Sequence, residues 1–368
     1  MEAPRRSSYD AAVVGAGVIG LACAWRAAQR GMSVVVLERD EPGAGASGVA
    51  AGMLAPVTEA EFGEEELLAL NLEGARMWPA FAAELAERSG VDTGYRSTGA
   101  LVVAADRDDA EELRRLHSFQ VSLGLEAEWL SGSACRRLEP RLAPRVAGAI
   151  LALQDRQVEP RAVVRALAAA LGHAGGELIT QAAVEAVEPG CVRTADGTEI
   201  EARSVVVASG CWSSELTGVA VRPVKGQILR LRGEPLAQRL VRTPRCYVVS
   251  RAAGEVVVGA TVEDRGFDTS VTADGVFRLL EAAREVLPDV GELELVEAAA
   301  RLRPGTPDNG PAIGEREGLI LATGHYRNGV LLAPVTASAV AALIAGEEPP
   351  EAVRPFSPAR FELARSRG

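Results

Sequence analysis

The chain is poor in the side chains that do acid, base and thiol chemistry near neutral pH. It has three histidines, His117, His173 and His325, and five cysteines, Cys23, Cys135, Cys191, Cys211 and Cys246. No cysteines stand at CxxC spacing and no histidines at HxxxH, which argues against thiolate or imidazole metal sites. An odd number of cysteines without a framework of spacings reads as reduced thiols in a cytoplasmic protein. Positive charge is not in excess either: 39 Lys plus Arg against 50 Asp plus Glu give a net charge of −11. The electrostatic footprint of a nucleic-acid binder is therefore missing, although a local basic pocket for a small anion is compatible with that sum. A membrane span is missing too. Residues 329–346 are uncharged, but Pro334, Thr336, Ser338 and many alanines make them read as a buried helix. Residues 11–25 are apolar, yet three glycines interrupt them and they start too deep for a signal peptide. Residues 1–8 are polar and are expected to form a loose tail. There is no internal repeat, low-complexity tract or free linker. With so few groups that titrate near neutrality, demanding chemistry points to a bound cofactor.

What is present is a long alternation of strands and helices. The 368 residues exceed the roughly 250–300 at which single cores stop growing, so two domains are expected. Residues 9–14 and 33–38 read as buried parallel strands around an Ala-rich helix at 18–30, a βαβ unit. Further apolar strands are expected at 204–210 and 318–324. Strands with partial alternation are expected at 99–105, 222–232, 245–261 (bent at Ala253-Gly254) and 292–304. Helices are expected at 64–89 (broken or kinked at Pro79), 107–121, 160–172 and 273–287, with a short one capped by Ser131 or Ser133. Asp196-Gly197 is a hairpin turn signal. This distribution suggests an α/β class chain, α+β overall. One Rossmann-like domain comes from residues 9–56, 145–216 and 317–368. A β-rich second domain interrupts it at 57–144 and 217–316, and the segment beyond Glu347 wraps the surface.

The first βαβ unit carries Gly15-Ala-Gly17-Val18-Ile19-Gly20 between strand and helix. Gly15 makes the tight turn, Gly17 lets the backbone approach a pyrophosphate, and Gly20 lets helix and strand pack closely. The helix start offers free N–H groups and the positive end of its dipole. Glu38 ends the second strand, 23 residues after Gly15, where a carboxylate accepts hydrogen bonds from a ribose diol. Arg39 beside it reads as a surface arginine. The motif marks a dinucleotide site but does not separate FAD from NAD. A second helix start follows the glycine-bounded loop Gly324–Gly329, whose positive end is suited to an anionic ring edge.

Several blocks then resemble one family. The Gly motif, VVVASG (205–210) and GLILATGHYRNGVLLAP (318–334) resemble the scattered pieces of the FAD domain of the D-amino-acid oxidase family of FAD-dependent oxidoreductases. AAGMLAP (50–56), YRSTGAL (95–101), VRPVKGQILRL (221–231), LRPGTPDNGP (302–311) and TGHYRNGVLLAPVT (323–336) are similar to its glycine-oxidising branch, tied to thiamin thiazole synthesis. The resemblance runs from about residue 9 to residue 361 and implies an FAD domain of the glutathione-reductase type. FAD is expected to be bound non-covalently, since no cysteine lies between Arg303 and Gly329. The resemblance implies that Ala46 and Ser47 reach the flavin phosphates and that Val184 touches the adenine. It adds Gly52, Met53, Ser209, Gly210, His325, Tyr326, Arg327, Asn328 and Gly329 to the cofactor surroundings. On the substrate side it implies Arg303 as carboxylate clamp, which is also near the flavin, Tyr247 as a second donor to that carboxylate, and Arg327 and Met53 as pocket residues. Arg301 shares the strand face of Arg303, so the two could exchange roles. No catalytic side chain and no metal are expected, since the flavin carries the redox step. The chain departs from the family by reading EAAARLRP where a Trp–Ala–Gly or aromatic run is frequent. The activity implied is oxidation of glycine, sarcosine or small D-amino acids, with O2 as acceptor and hydrogen peroxide as product. Homotetrameric assembly and delivery of dehydroglycine to thiazole synthase are implied in the same way.

Overall fold

A computed structural model describes residues 8–361; residues 1–7, in the expected tail, and 362–368 lie outside the described residues. Tyr9–Val14 runs parallel to Val34–Leu37, joined by the helix Val18–Gln29. The strands lack alternation because both faces are covered. Ala11 and Val13 join one core, Ala12 and Val14 the opposite one. Among the described residues the first sheet continues in the order Ala312–Arg316, Leu319–Thr323, Glu199–Val207, Tyr9–Val14, Val34–Leu37, Glu177–Ile179. Its strands are parallel apart from the Ala312–Arg316 edge. Helices Val18–Gln29, Glu65–Ser89, Pro160–His173 and Gly329–Ile344 cover one face. The other face carries an antiparallel extension, Val184–Glu188 and Cys191–Thr194, which turns into Glu199–Val207 at Asp196-Gly197. The uncharged stretch is the buried helix Gly329–Ile344, and no helix among the described residues is long and apolar enough to cross a membrane.

The second sheet is largely antiparallel, in the order Glu294–Gly305, Arg222–Arg232, Glu255–Gly259, Tyr247–Ser250, Leu240–Arg242, Ala100–Ala104, Gly148–Ala152, Glu128–Ser131. Helix Ala273–Val286 packs on its outer face through Leu279, Ala283 and Val286. Its inner face meets the first domain through a small apolar layer that includes Ala51, Ala55, Ile228 and Val257. That layer and the polar groups around it frame a cavity between the two sheets.

Three details differ from the sequence reading. The helix at Glu65–Ser89 runs unbroken through Pro79. An interior proline costs about 3 kcal/mol, but Trp78 and Phe81 are buried on either side of it, and Trp78 Nε1 donates to Leu331 O at 3.0 Å. Residues 245–261 are two paired strands, Tyr247–Ser250 and Glu255–Gly259, because the Ala253-Gly254 signal makes a full hairpin turn. Gly148–Ala152 pairs in the second sheet and Ala312–Arg316 in the first. The segment limits expected at 145 and 317 therefore miss one strand each, since an apolar run does not say which sheet it will join.

A buried carboxylate closes the end of the short ribbon formed by Met53–Leu54 and Arg156–Gln157. Asp155 accepts from Val57 N at 3.1 Å, Thr58 N at 3.0 Å and Thr58 Oγ1 at 2.6 Å. Burial pushes its pKa up to about 6, against the opposing pull of the Thr58 and Val57 donors and of Arg242. A carboxyl whose folded pKa exceeds the ordinary 3.8 stabilises most when protonated, and that contribution declines as pH rises from about 4 to about 6. The wild type should lose about 2–3 kcal/mol relative to Asp155→Asn across that window, read by urea unfolding at each pH. Parallel curves would show that Asp155 titrates at its ordinary value.

Candidate active site

The cavity measures about 630 Å³ and is open to the Gly15–Ile19 turn at one end and to Arg303 and Tyr247 at the other. At the first end, Gly15 has φ +103°, and a Cβ there would meet Ala208 O at 2.7 Å. Gly17 precedes the helix Val18–Gln29 with extended backbone, no side-chain cap and no acidic residue in the first turn. The positive helix end is thus left for a ligand. Ser47 Oγ accepts from Val18 N at 3.0 Å, tying the 46–48 turn to that helix start. The Glu38 carboxylate is held by Ala16 N at 2.7 Å and Asp40 N at 3.0 Å. Arg39 is more than a solvated arginine: its guanidinium lies 3.6 Å over the Trp212 ring while pairing with Asp40 at 3.1 Å. Val184 lines the same end. A cradle that excludes Cβ, a helix start whose cap residue has no side chain, and a fixed carboxylate suit the diphosphate and ribose of a dinucleotide.

Two glycines inside strands form a floor at the other end. A Cβ on Gly226 would overlap the Arg303 guanidinium, and one on Gly259 would overlap the Tyr247 hydroxyl. Both side chains therefore lie flat against the second sheet. Arg303 Nη1 donates to Thr261 O at 3.1 Å, and Arg303 has no carboxylate partner among the described residues. The other arginines at this end are neutralised. Arg327 pairs with Glu61 at 3.0 Å and Glu64 at 2.6 Å, Arg242 with Glu59 at 3.5 Å, and Arg245 with Glu285. Arg301 is the exception: it lines the cavity without a carboxylate partner among the described residues and donates to backbone oxygens instead, through Nε to Ala44 O at 2.9 Å and through Nη1 to Ala300 O at 2.8 Å. Burial raises the Tyr247 phenol pKa, with Arg303 opposing, so the hydroxyl stays a donor at neutral pH.

Most of the expected residues line this cavity: Gly15, Gly17, Val18, Ile19, Glu38, Arg39, Ala46, Ser47, Gly52, Met53, Val184, Ser209, Gly210, Tyr247, Arg303, His325, Tyr326, Arg327 and Gly329. Gly20 and Asn328 do not. Gly20 sits behind the turn, where a Cβ would overlap Gly15 O. Asn328 is buried just before the helix Gly329–Ile344, its amide atoms without partners among the described residues. His325 bonds through Nε2 to Thr336 Oγ1 at 3.0 Å, and burial lowers its pKa to about 3, so the ring is neutral. Sequence reasoning missed Glu59, Trp212, Arg242 and the two floor glycines. Gly226 and Gly259 stand inside strand patterns, VKGQILR and VVVGA, where a glycine marks close approach of another group.

Comparison with known proteins identifies the fold. Residues 10–343 match the family model described as FAD dependent oxidoreductase, DAO. The chain belongs to this family. It is 37% identical to the glycine oxidase of Geobacillus kaustophilus over 364 residues, covering 95% of this chain and 96% of that relative. It is 35% identical to the bifunctional protein ThiO/ThiG of Trichormus variabilis, covering 97% of this chain and 56% of that relative. The crystal structure of the Geobacillus kaustophilus glycine oxidase superposes with a TM-score of 0.90 at 36% identity, over 96% of this chain and 98% of that one. Iminodiacetate oxidase from Chelativorans sp. BNC1 superposes with a TM-score of 0.85 at 25% identity, over 95% and 98%. This FAD-dependent oxidoreductase is an amino-acid oxidase of the glycine-oxidase type, and FAD is its cofactor.

The glycine floor generates a test. Alanine at 226 displaces the Arg303 guanidinium, and misplacement by about 1 Å can cost about 100-fold. Gly226→Ala should lower kcat/KM for the amino acid by about 10- to 100-fold while the protein keeps its flavin absorbance. Steady-state kinetics read the first and a visible spectrum the second. Unchanged kcat/KM would show that the flat guanidinium is not required.

Proposed function

We propose that this FAD-dependent oxidoreductase deaminates glycine and similarly small amino acids, with O2 as the final acceptor. One observation carries the reading: Arg303 is half-buried beside the Tyr247 hydroxyl and, among the described residues, lacks the carboxylate partner that Arg242, Arg245 and Arg327 each have. A desolvated guanidinium needs a counter-charge, and an amino-acid carboxylate supplies it in bidentate form. Tyr247 donates a second hydrogen bond to the same carboxylate. Glycines 226 and 259 keep both donors low, which leaves the space above them for a small Cα.

Bound at Gly15–Ile19, Ser47 and Glu38, FAD supplies the two-electron acceptor. The chain's own residues then bind and orient. Arg303 and Tyr247 fix the carboxylate, which fixes the direction of the Cα–H bond. His325, neutral and tied to Thr336, neither adds charge nor competes for that carboxylate. The amine reacts in its neutral form. Glycine loses a hydride and a proton to become the imine, water converts the imine to glyoxylate and ammonia, and O2 with the electron pair and two protons leaves as hydrogen peroxide. Delivery of the imine to thiazole synthase is part of this reading. It is supported by a relative that carries ThiO and ThiG in one bifunctional protein. The resemblance supports a cytoplasmic homotetramer.

A peroxide-coupled assay with glycine, sarcosine, D-alanine and D-proline tests the reading. Glycine should give peroxide at least as efficiently as the others. A strong preference for sarcosine or a D-amino acid would reassign the substrate, and no peroxide from any of them would overturn the oxidase reading. Loss of a charge-assisted pair is worth about 1.5–3 kcal/mol, so Arg303→Ala should raise the KM for glycine by about 10- to 100-fold. Equal kinetics in wild type and variant would move the clamp elsewhere.

A further inference from the structure

Residues 44–52 read AGASGVAAG, a segment with no charged side chain and none larger than valine. It lines the cavity beside the helix start that suits the diphosphate, and its own backbone closes only the single turn Ala46–Gly48. Its carbonyls on either side of that closure are held from behind by guanidinium groups. Arg161 Nε donates to Gly48 O at 2.7 Å, and Arg230 Nη2 donates to the same oxygen at 3.1 Å. Arg251 Nη2 donates to Ala51 O at 2.8 Å, and its Nη1 reaches Val158 O at 2.8 Å. Gly52 O in turn accepts from Val158 N at 2.9 Å.

Two carboxylates offset most of the charge of these three arginines. Glu255 pairs with Arg230 at 2.8 Å and with Arg251 at 2.7 Å, and Glu297 pairs with Arg161 at 2.8 Å. Arg230 and Arg251 are 3% and 8% exposed, so their hydrogen bonds are made in a poorly solvated layer where each is electrostatically strong. They come from Arg222–Arg232 and from the turn after Tyr247–Ser250, both in the second sheet.

In a trans peptide the C=O and the following N–H point in opposite directions. A carbonyl of Ala51 held toward Arg251 therefore turns the Gly52 N–H the other way, and Gly52 lines the cavity. The Gly52 N–H makes no hydrogen bond within the described residues. Gly45 is arranged in the same manner, with Ala44 O accepting from Arg301 Nε at 2.9 Å. Hydrogen bonds that polarise a peptide through its oxygen strengthen it as a donor through its nitrogen.

We infer that Arg161, Arg230 and Arg251 are positioning residues for FAD. They contact no cofactor themselves: Arg251 turns the Gly52 N–H toward the cavity, while Arg161 and Arg230 fix the 46–48 turn beside it, whose Gly48 and Val49 N–H groups stay bonded to Gly45 O and Ala46 O. The second sheet thereby takes part in building the cofactor site as well as the substrate site. The inference is independent of which amino acid is the substrate.

The test uses the purified holoenzyme. FAD dissociation is followed by the rise of flavin fluorescence on dilution, and melting of the FAD-free protein by circular dichroism. Arg251→Met should weaken FAD binding by about 10- to 100-fold. At saturating FAD its KM for the amino acid should stay within about threefold of wild type. Arg251→Lys should recover only part of the FAD affinity, since one ammonium cannot fork to both Ala51 O and Val158 O. Arg161→Met removes a more exposed grip on Gly48 and should weaken FAD binding in the same direction; it decides the matter if Arg251→Met does not fold. FAD affinity within twofold of wild type in a folded variant, or a lower melting temperature of the FAD-free protein with unchanged FAD affinity, would overturn the inference.

Discussion

A guanidinium taken out of water has to find negative charge or carbonyl oxygens, because an unpaired buried charge is among the costliest features a fold can carry. The space between the two sheets is organised by that constraint. Arg230 and Arg251 share Glu255, Arg242 has Glu59, and Arg327 has Glu61 and Glu64. Further donors of Arg230, Arg242 and Arg251 go to backbone carbonyls at Gly48, Ala51, Thr58 and Val158. Against that background Arg303 is distinctive for what it lacks. Its one protein acceptor is Thr261 O, and no carboxylate among the described residues reaches it. Arg301 also lacks a carboxylate among the described residues, but it spends donors on Ala44 O and Ala300 O, so Arg303 is the less satisfied of the two.

The division of labour between the sheets follows. The parallel sheet supplies backbone: the Gly15–Ile19 turn, the helix start whose cap residue has no side chain, and Glu38 at the end of Val34–Leu37. The antiparallel sheet supplies side chains on a rigid floor, with Tyr247 over Gly259 and Arg303 over Gly226. Strand register makes this possible. Tyr247 pairs directly with Gly259, and Val224, two residues before Gly226, pairs with Arg303. A side chain lying across its neighbour's position needs that neighbour to have no Cβ, so the glycines are as much a part of the substrate site as the charged groups.

Much of this was legible in the sequence, unevenly. The βαβ unit was plain because strand, glycine turn, helix and terminal acid are all local, and each residue's task follows from its neighbours. Arg303 and Tyr247 came through resemblance to a family; nothing in periodicity separates Arg303 from Arg301 two residues earlier. What separates them is tertiary: Arg301 is spent on Ala44 O, a contact across 257 positions. The Gly148–Ala152 and Ala312–Arg316 strands were not read from the sequence for the same reason, since sheet membership depends on a partner that local patterning does not show. Pro79 was overread as a break, because a local penalty lost to the burial of Trp78 and Phe81.

The scarcity of titratable groups also takes on a physical meaning. The few such groups at the cavity are locked in one state near neutral pH. Burial lowers the pKa of His325 to about 3 and pushes the Cys211 thiol up to about 12, and the Tyr247 phenol is raised as well. A guanidinium does not titrate in this range at all. His325, Cys211 and Tyr247 are thus neutral at neutral pH, and Arg303 keeps its charge beside them. What the cavity does offer is fixed donors, Arg303 and Tyr247, and the absence of side chains at Gly226 and Gly259 where those donors lie flat.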